Sequence, residues 1–304
     1  MRNEILRKII LNTLYDVKRK LRINAYLDDV ILSRFHPWMI TYVRFKDDYV
    51  GCGISASIFK GMFASLKEEL VSELFSYIKL GEDAYQIVKE IAEISVSDTD
   101  MQMLFNALTI STLNAISYRL LDDEGLKKEG FRVKKHRVGG YLFGNRIGMV
   151  LQHIVNPDDI VTAIGYVYWA FPFIINKVKS FSCVELINEE FFKVYTLSGL
   201  KPRVDVYNDP EKVLSYSNIV LITGMSIPNE TLMNVLKLCT SARLRIMYGP
   251  SSLFYPKYLF SLGINGVLAL RISSSEETKS RIIDSRGLYP YEDPFTQLIE
   301  IWRE

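Results

Sequence analysis

From about residue 157 to residue 272 the chain alternates between short apolar runs and helix-like ones, and this rhythm most constrains its fold. The apolar runs are "DDIVTAIGYV", "CVELIN", "IVLITG", "RLRIMYGP" and "INGVLALRI". Between them lie "PFIINKVKSF", "DPEKVLSYSN", "NETLMNVLKLC" and "PKYLFSLG". Strands apolar on both faces and separated by helices predict a parallel sheet covered on both sides. Right-handed crossovers then give a Rossmann-like three-layer sandwich.

The first half has a different pattern. "PWMITYVRF" and "YVGCGISASI", joined by "KDD", predict a hairpin. The opening stretch "MRNEILRKIILNTLYDVKRKLRI" spaces Ile5, Leu6, Ile9, Ile10, Leu14, Val17 and Leu21 as an amphipathic helix, not as a signal segment. "SLKEELVSELFSYIKLG" carries a stripe of Leu66, Leu70, Leu74 and Ile78 and stops at Gly81. "SDTDMQMLFNALTISTLNAISYRLLDDEG" predicts a long, largely apolar central helix ending by Gly125. The chain class is therefore α/β: an N-terminal α+β domain of a hairpin plus helices over residues 1–125, a linker over 126–156, and a Rossmann-like domain over 157–304. The linker expectation rests on charge and glycine without a clear period. Its basic cluster, Lys134, Lys135, His136 and Arg137, is read first as a solvated surface and second as a phosphate contact.

Bulk charge excludes some partners. With 37 basic against 35 acidic residues the net charge is +2, so no nucleic-acid partner is expected. Charges interrupt every apolar run, so no membrane span is expected. Three scattered cysteines, Cys52, Cys183 and Cys239, suit a reducing cytoplasm. Dimers are common among Rossmann-like proteins, and no sequence feature decides for or against a homodimer.

In open parallel sheets, ligands bind at the carboxyl ends of the strands, near a switch in strand order. Three elbows share that edge: "IGYVYWAFP", "TGMSIPN" and "YGPSSLFYP". The first places Gly165 and Tyr166 there. The second places Thr223, Gly224 and Met225, with Asn229 as N-cap of the next helix and Thr231 on its first turn. The third places Gly249, Pro250, Ser251 and Ser252. Helix starts with unpaired N–H groups attract anions. Taken singly, such residues are more often turns and caps than ligands. Three elbows on one edge shift the balance toward a site. Cys239 falls on the buried stripe of its helix and reads as core.

Several strong signals are missing. The chain has no GxGxxG, no GxxxxGK[ST] and no GxSxG. His36, His136 and His153 lie in separate segments without metal-ligand spacing. Glu185 and Glu189 follow the second strand of the sheet, where an acid can hold a ribose. Candidate catalytic groups reduce to Cys52, Glu185 and Lys257.

Residues 217–272, including "IVLITGMSIPNETLMNVLKLCTSARLRIMYGPSS" and "LFSLGINGVLAL", resemble the C-terminal domain of the family described as "putative heavy-metal chelation". "YVGCGISASI" and "TLNAISYRL" resemble its first domain. The resemblance implies an enolase N-terminal-like first domain, a Rossmann-like second one, and a pocket between them. Carried over, that pocket is lined by the elbow residues, with Asn114 and the Gly51-Cys52-Gly53 strand facing them. Tyr166, Tyr168 and Trp169 depart from the family's shorter pattern; sealing the interface is the reading preferred for them. The resemblance further implies a small anionic ligand or metal complex, linked to corrinoid metabolism, with a divalent metal as the cofactor to test. The alternative is an enzyme of transfer chemistry on a phosphate- or carboxylate-bearing substrate in the same cleft.

Overall fold

The computed structural model describes residues 2–33, 38–57, 66–137, 142–165, 170–185, 204–207, 209–285 and 296–304. Tyr166, Tyr168, Trp169, His36 and Glu189 lie outside the described residues.

The first half is built on a three-stranded antiparallel meander, β1 (Ala25–Leu32), β2 (Trp38–Phe45) and β3 (Val50–Ala56). The expected hairpin is β2–β3, and β1 is added on its other side. Around it lie α1 (Arg2–Leu21), α2 (Glu68–Ser76), α3 (Ala84–Ile91) and α4 (Thr99–Ser117). Asp98 caps α4, its side chain accepting from the Asp100 and Met101 amides. Almost every residue of α4 is buried, so its apolar surface runs all round rather than along one face. It is the central helix the sequence predicts. It ends at Ser117 and runs on as a 3₁₀ turn, Tyr118–Leu121.

Glycine lets α4 and β3 touch backbone to backbone. A Cβ on Gly53 would lie 2.0 Å from the Ser111 carbonyl oxygen, and one on Gly51 would lie 2.2 Å from that of Ala115. Gly51 and Gly53 therefore serve helix–strand packing. Cys52, alternating between them, points the other way and packs with Tyr42, Ile54 and Tyr118.

The stretch expected as a linker holds α5 (Asp123–Lys128), β4 (Phe131–Arg137) and α6 (Leu142–Leu151). β4 enters the large sheet as an edge strand. The remaining elements are β5 (Ile160–Ile164), α7 (Pro172–Ile175), β6 (Ser180–Val184), β7 (Val204–Tyr207), α8 (Glu211–Leu214), β8 (Ile219–Thr223), α9 (Leu232–Leu238), β9 (Leu244–Tyr248), α10 (Lys257–Ser261), β10 (Gly266–Arg271), α11 (Glu276–Asp284) and β11 (Gln297–Arg303). The eight strands run in the order β4-β11-β10-β9-β8-β5-β6-β7. From β10 to β7 all neighbours are parallel, while β11 and β4 are antiparallel additions. Within the parallel part the order has the Rossmann form, with its switch point between β5 and β8.

The largest buried cluster runs from Leu6 and Ile10 of α1 through Ile116 of α4 to Phe254 and Ile301, so the two halves share one core. Lys279 of α11 adds a surface tie, its Nζ 2.8 Å from Asp29 of β1. Among the described residues no helix is long and apolar enough to cross a membrane.

Candidate functional site

The elbows come together as the sequence predicts, at the carboxyl edge of the parallel sheet. Their polar groups are engaged mainly with one another and with the first half of the chain. At the switch point Gly165 turns at φ 82°, and its amide donates to the Val184 carbonyl. The Tyr248 hydroxyl sits 2.7 Å from the Ile164 carbonyl and 2.5 Å from that of Gly165. The ring is buried against Phe171, and burial pushes the phenol well above its ordinary pKa. At the switch point the protein's own tyrosine thus bonds the backbone at the end of β5.

At the second elbow the Thr223 hydroxyl accepts from the Met225 amide, and Gly224 packs against the Ser252 amide. Asn229 is not the N-cap of α9; that position falls to Thr231. Asn229 instead closes an Asx turn, its Oδ1 accepting from the Thr231 amide at 3.3 Å and hydroxyl at 2.7 Å. The third elbow turns on Gly249 at φ 101°. There Ser251 Oγ accepts the Ala56 amide of β3 at 2.8 Å, and Ser252 Oγ donates to the Gly249 carbonyl. Asn114 of α4 donates from Nδ2 to Ile54 O at 2.7 Å and to Pro250 O at 3.1 Å. One turn-pair earlier, Asn106 donates to Pro228 O at 2.8 Å. The elbow edge is a seam between the halves, and Asn114 Oδ1 and Ser226 Oγ lie buried in it without a partner.

The catalytic candidates are dispersed. Cys52 lies in the apolar cluster on the β3 face turned away from α4. The Glu185 amide, just past β6, donates to Tyr207 O. Lys257 opens α10 and pairs with Asp16 at 3.4 Å.

An open cavity of about 530 Å³ lies further along the same edge, where the end of α4 meets the ends of β10, β11 and β4. It is lined by Tyr118, Lys135, Arg137, Arg271, Ile272, Ser273 and Gln297. Three of these are cations and none is acidic. Strand geometry explains the concentration of charge. Alternation along β4 divides the basic cluster: Lys135 and Arg137 take one face, Lys134 and His136 the other. His136 there meets Glu300 at 2.9 Å, and Glu300 in turn accepts from the Trp302 indole. On the cleft face, register aligns Arg137 with Gln297 and Gln297 with Arg271. The same face toward the other end of the strands is apolar: Val133, Ile299, Ile301, Val267 and Ala269 belong to the shared core. The cations therefore begin where the core ends.

Arg271 is held in place. Its guanidinium lies over the Tyr118 ring, 3.9 Å from the centroid. It donates to the carbonyls of Leu121 at 3.3 Å and Tyr118 at 3.4 Å, while its buried Nε has no partner. The Tyr118 hydroxyl donates to Ile272 O at 3.0 Å. Burial raises the Tyr118 pKa, and the Arg271 charge draws it part of the way back. Sequence reasoning named Lys135 and Arg137 in a basic cluster, with a phosphate contact as its second reading, and missed Arg271, Ser273 and Gln297. The alternation of Phe131 and Val133 with Arg132 and Lys134 was the local signal of a strand.

The described residues do not make a metal centre. Among the described residues no group of three or more His, Cys, Asp or Glu side chains is placed to hold an ion. The three cysteines are buried on separate elements, and His153 is exposed past α6. Burial pushes the Cys239 thiol up to about 11, Arg245 offsetting part of the rise, and pushes Cys183 higher still. Thiolate ligation at neutral pH is disfavoured at both.

Comparison with known proteins agrees with this fold. Residues 151–297 match the model of the DUF364 family, described as "Putative heavy-metal chelation". No curated protein matches the chain. A DUF364 protein of unknown function from Pyrococcus horikoshii superposes with a TM-score of 0.62 at 11% identity, covering 98% of this chain and 99% of that one. A second, from Desulfitobacterium hafniense DCB-2, gives 0.59 at 14%, covering 97% of each. At such identities the likeness establishes the fold alone.

Proposed function

We propose that this chain, DUF364-like in the sequence of its second half and in fold along its length, binds a small anionic ligand in the cleft of Tyr118, Lys135, Arg137, Arg271, Ser273 and Gln297. The observation that carries this reading is an open cavity whose described lining holds three cations and no carboxylate. Cations gathered along the wall of an open cleft attract an anion to it. The cavity volume suits a small organic molecule. Heavy metal enters this reading as cargo already wrapped in an anionic chelate, because the described donors do not form a metal site. The corrinoid link becomes one arm of the test.

The experiment is isothermal titration of the full chain at fixed ionic strength. The probes are citrate, nickel chloride, nickel citrate, inorganic phosphate and a carboxylate-bearing tetrapyrrole. Citrate or its nickel complex should bind, nickel alone should not, and Lys135→Ala should weaken binding severalfold. Saturable binding of bare nickel with no response to any anion would reject the reading.

The second reading, an enzyme of transfer chemistry at the elbows, would not draw on this cleft, since Cys52, Glu185 and Lys257 are not among its lining residues.

A further inference from the structure

We infer that the cleft selects ligands with two anionic groups, specifically small organic dicarboxylates, held end to end between Arg271 and Arg137. This rests on the anion-binding reading above and narrows it. Arg137, Gln297 and Arg271 occupy one transverse row across β4, β11 and β10. Neighbouring strands stand about 4.8 Å apart, so the two arginine backbones are separated by roughly 10 Å on the same face. Between them stands an amide, a neutral group that both donates and accepts.

The two ends differ in character. Arg271 is pre-oriented by the Tyr118 ring and by two long bonds to carbonyl oxygens, and its planar fork matches a carboxylate. Arg137 is exposed at the end of an edge strand, so its reach adjusts to ligand length. Gln297 alone stands between them in the row, a neutral group that leaves room for a short carbon chain joining two carboxylates.

The test compares acetate, butyrate, succinate, glutarate and phosphate by titration at constant ionic strength, using the intact protein and Arg137→Gln. Succinate or glutarate should bind at least tenfold more tightly than butyrate. Arg137→Gln should bring the dicarboxylates down to the level of butyrate measured on the same variant. This exposed strand-end substitution keeps the core contacts, and an unchanged melting temperature would confirm that. Equal affinity for butyrate and succinate would overturn the two-ended inference while leaving anion binding intact. So would phosphate binding more tightly than every dicarboxylate. Absence of binding by all five, in a chain that unfolds cooperatively, would overturn both the inference and the function on which it rests.

Discussion

The Arg271 guanidinium is stacked on the Tyr118 ring, 3.9 Å from its centre, and the Tyr118 hydroxyl donates to the backbone of the residue after Arg271. One aromatic residue at the end of α4 thus fixes both the charge and the strand end that carries it. Tyr118→Phe keeps the stack and removes the hydroxyl bond, and should cost about 1 kcal/mol. Tyr118→Ala removes ring and bond together and should cost about 3–5 kcal/mol. Urea unfolding of both variants measures the difference; equal losses would contradict the role given to the ring.

The elbow residues are expected to behave as a seam. Asn114→Ala strips partners from Ile54 O and Pro250 O, and Ser251→Ala strips one from the Ala56 amide. Each should lower stability by about 1–3 kcal/mol. Citrate affinity should stay within twofold of the parent, because neither side chain lines the cleft. A large loss of affinity in a stable Ser251→Ala protein would return the site to the elbows.

Close helix–strand packing makes a sharp contrast between two glycines. Gly53→Ala places a methyl against the Ser111 carbonyl and should cost about 3 kcal/mol or prevent accumulation. At Gly81, φ is 81° and nothing lies within 4 Å of an added methyl, so Gly81→Ala should cost only about 1–2 kcal/mol of backbone strain. Thermal melts of the pair check the order.

The thiols should be silent in the folded protein. Cys52, Cys183 and Cys239 are all buried, and Cys239 titrates near 11. A thiol-specific disulfide reagent at pH 8 should label none of them within minutes and all three in guanidinium. Rapid stoichiometric labelling of the native protein would show that one of these burial assignments fails.

Glu129 gives a pH dependence of definite sign. Its carboxylate is held below the ordinary carboxylate pKa chiefly by its hydrogen bond to Lys20, with Tyr255 also donating to it, at 3.1 Å. A depressed folded pKa means stability present above the unfolded value of about 4.5 and lost as pH falls through the folded value. The parent should therefore lose more stability than Glu129→Gln between pH 5 and pH 3. Parallel losses in the two proteins would remove Glu129 from the acid response.

The parallel sheet was legible because its strands are apolar runs bounded by glycine and polar elbows, as "IVLITG" and "RLRIMYGP" show. The place of Gly165, Thr223, Gly224 and Gly249 on one edge followed from topology alone. Their use did not, since caps and ligand contacts demand the same residue types; Asn229 became an Asx turn and Asn114 a cross-brace. The cleft was hidden for another reason. Arg137, Gln297 and Arg271 meet only through strand register, across more than 130 positions of chain. The Lys134–Arg137 run broke the apolar–polar alternation of β4 at Lys135, and β4 therefore read as a connection. β11 adds an antiparallel strand after a series of parallel ones, which the preceding rhythm could not announce.

Tyr248 makes the switch-point crevice a seat with a resident occupant. Its hydroxyl is tethered to β9 and reaches across β8 to the Ile164 and Gly165 carbonyls at the end of β5. A tethered group acts at an effective concentration of millimolar or more, whatever the dilution of the protein. Any nucleotide competing for that seat must first outbid an intramolecular rival and leave a buried phenol unpartnered. The cationic cleft lies on the same carboxyl edge as this seat, displaced along it to β10, β11 and β4, so the two places are distinguished by strand and not by rim.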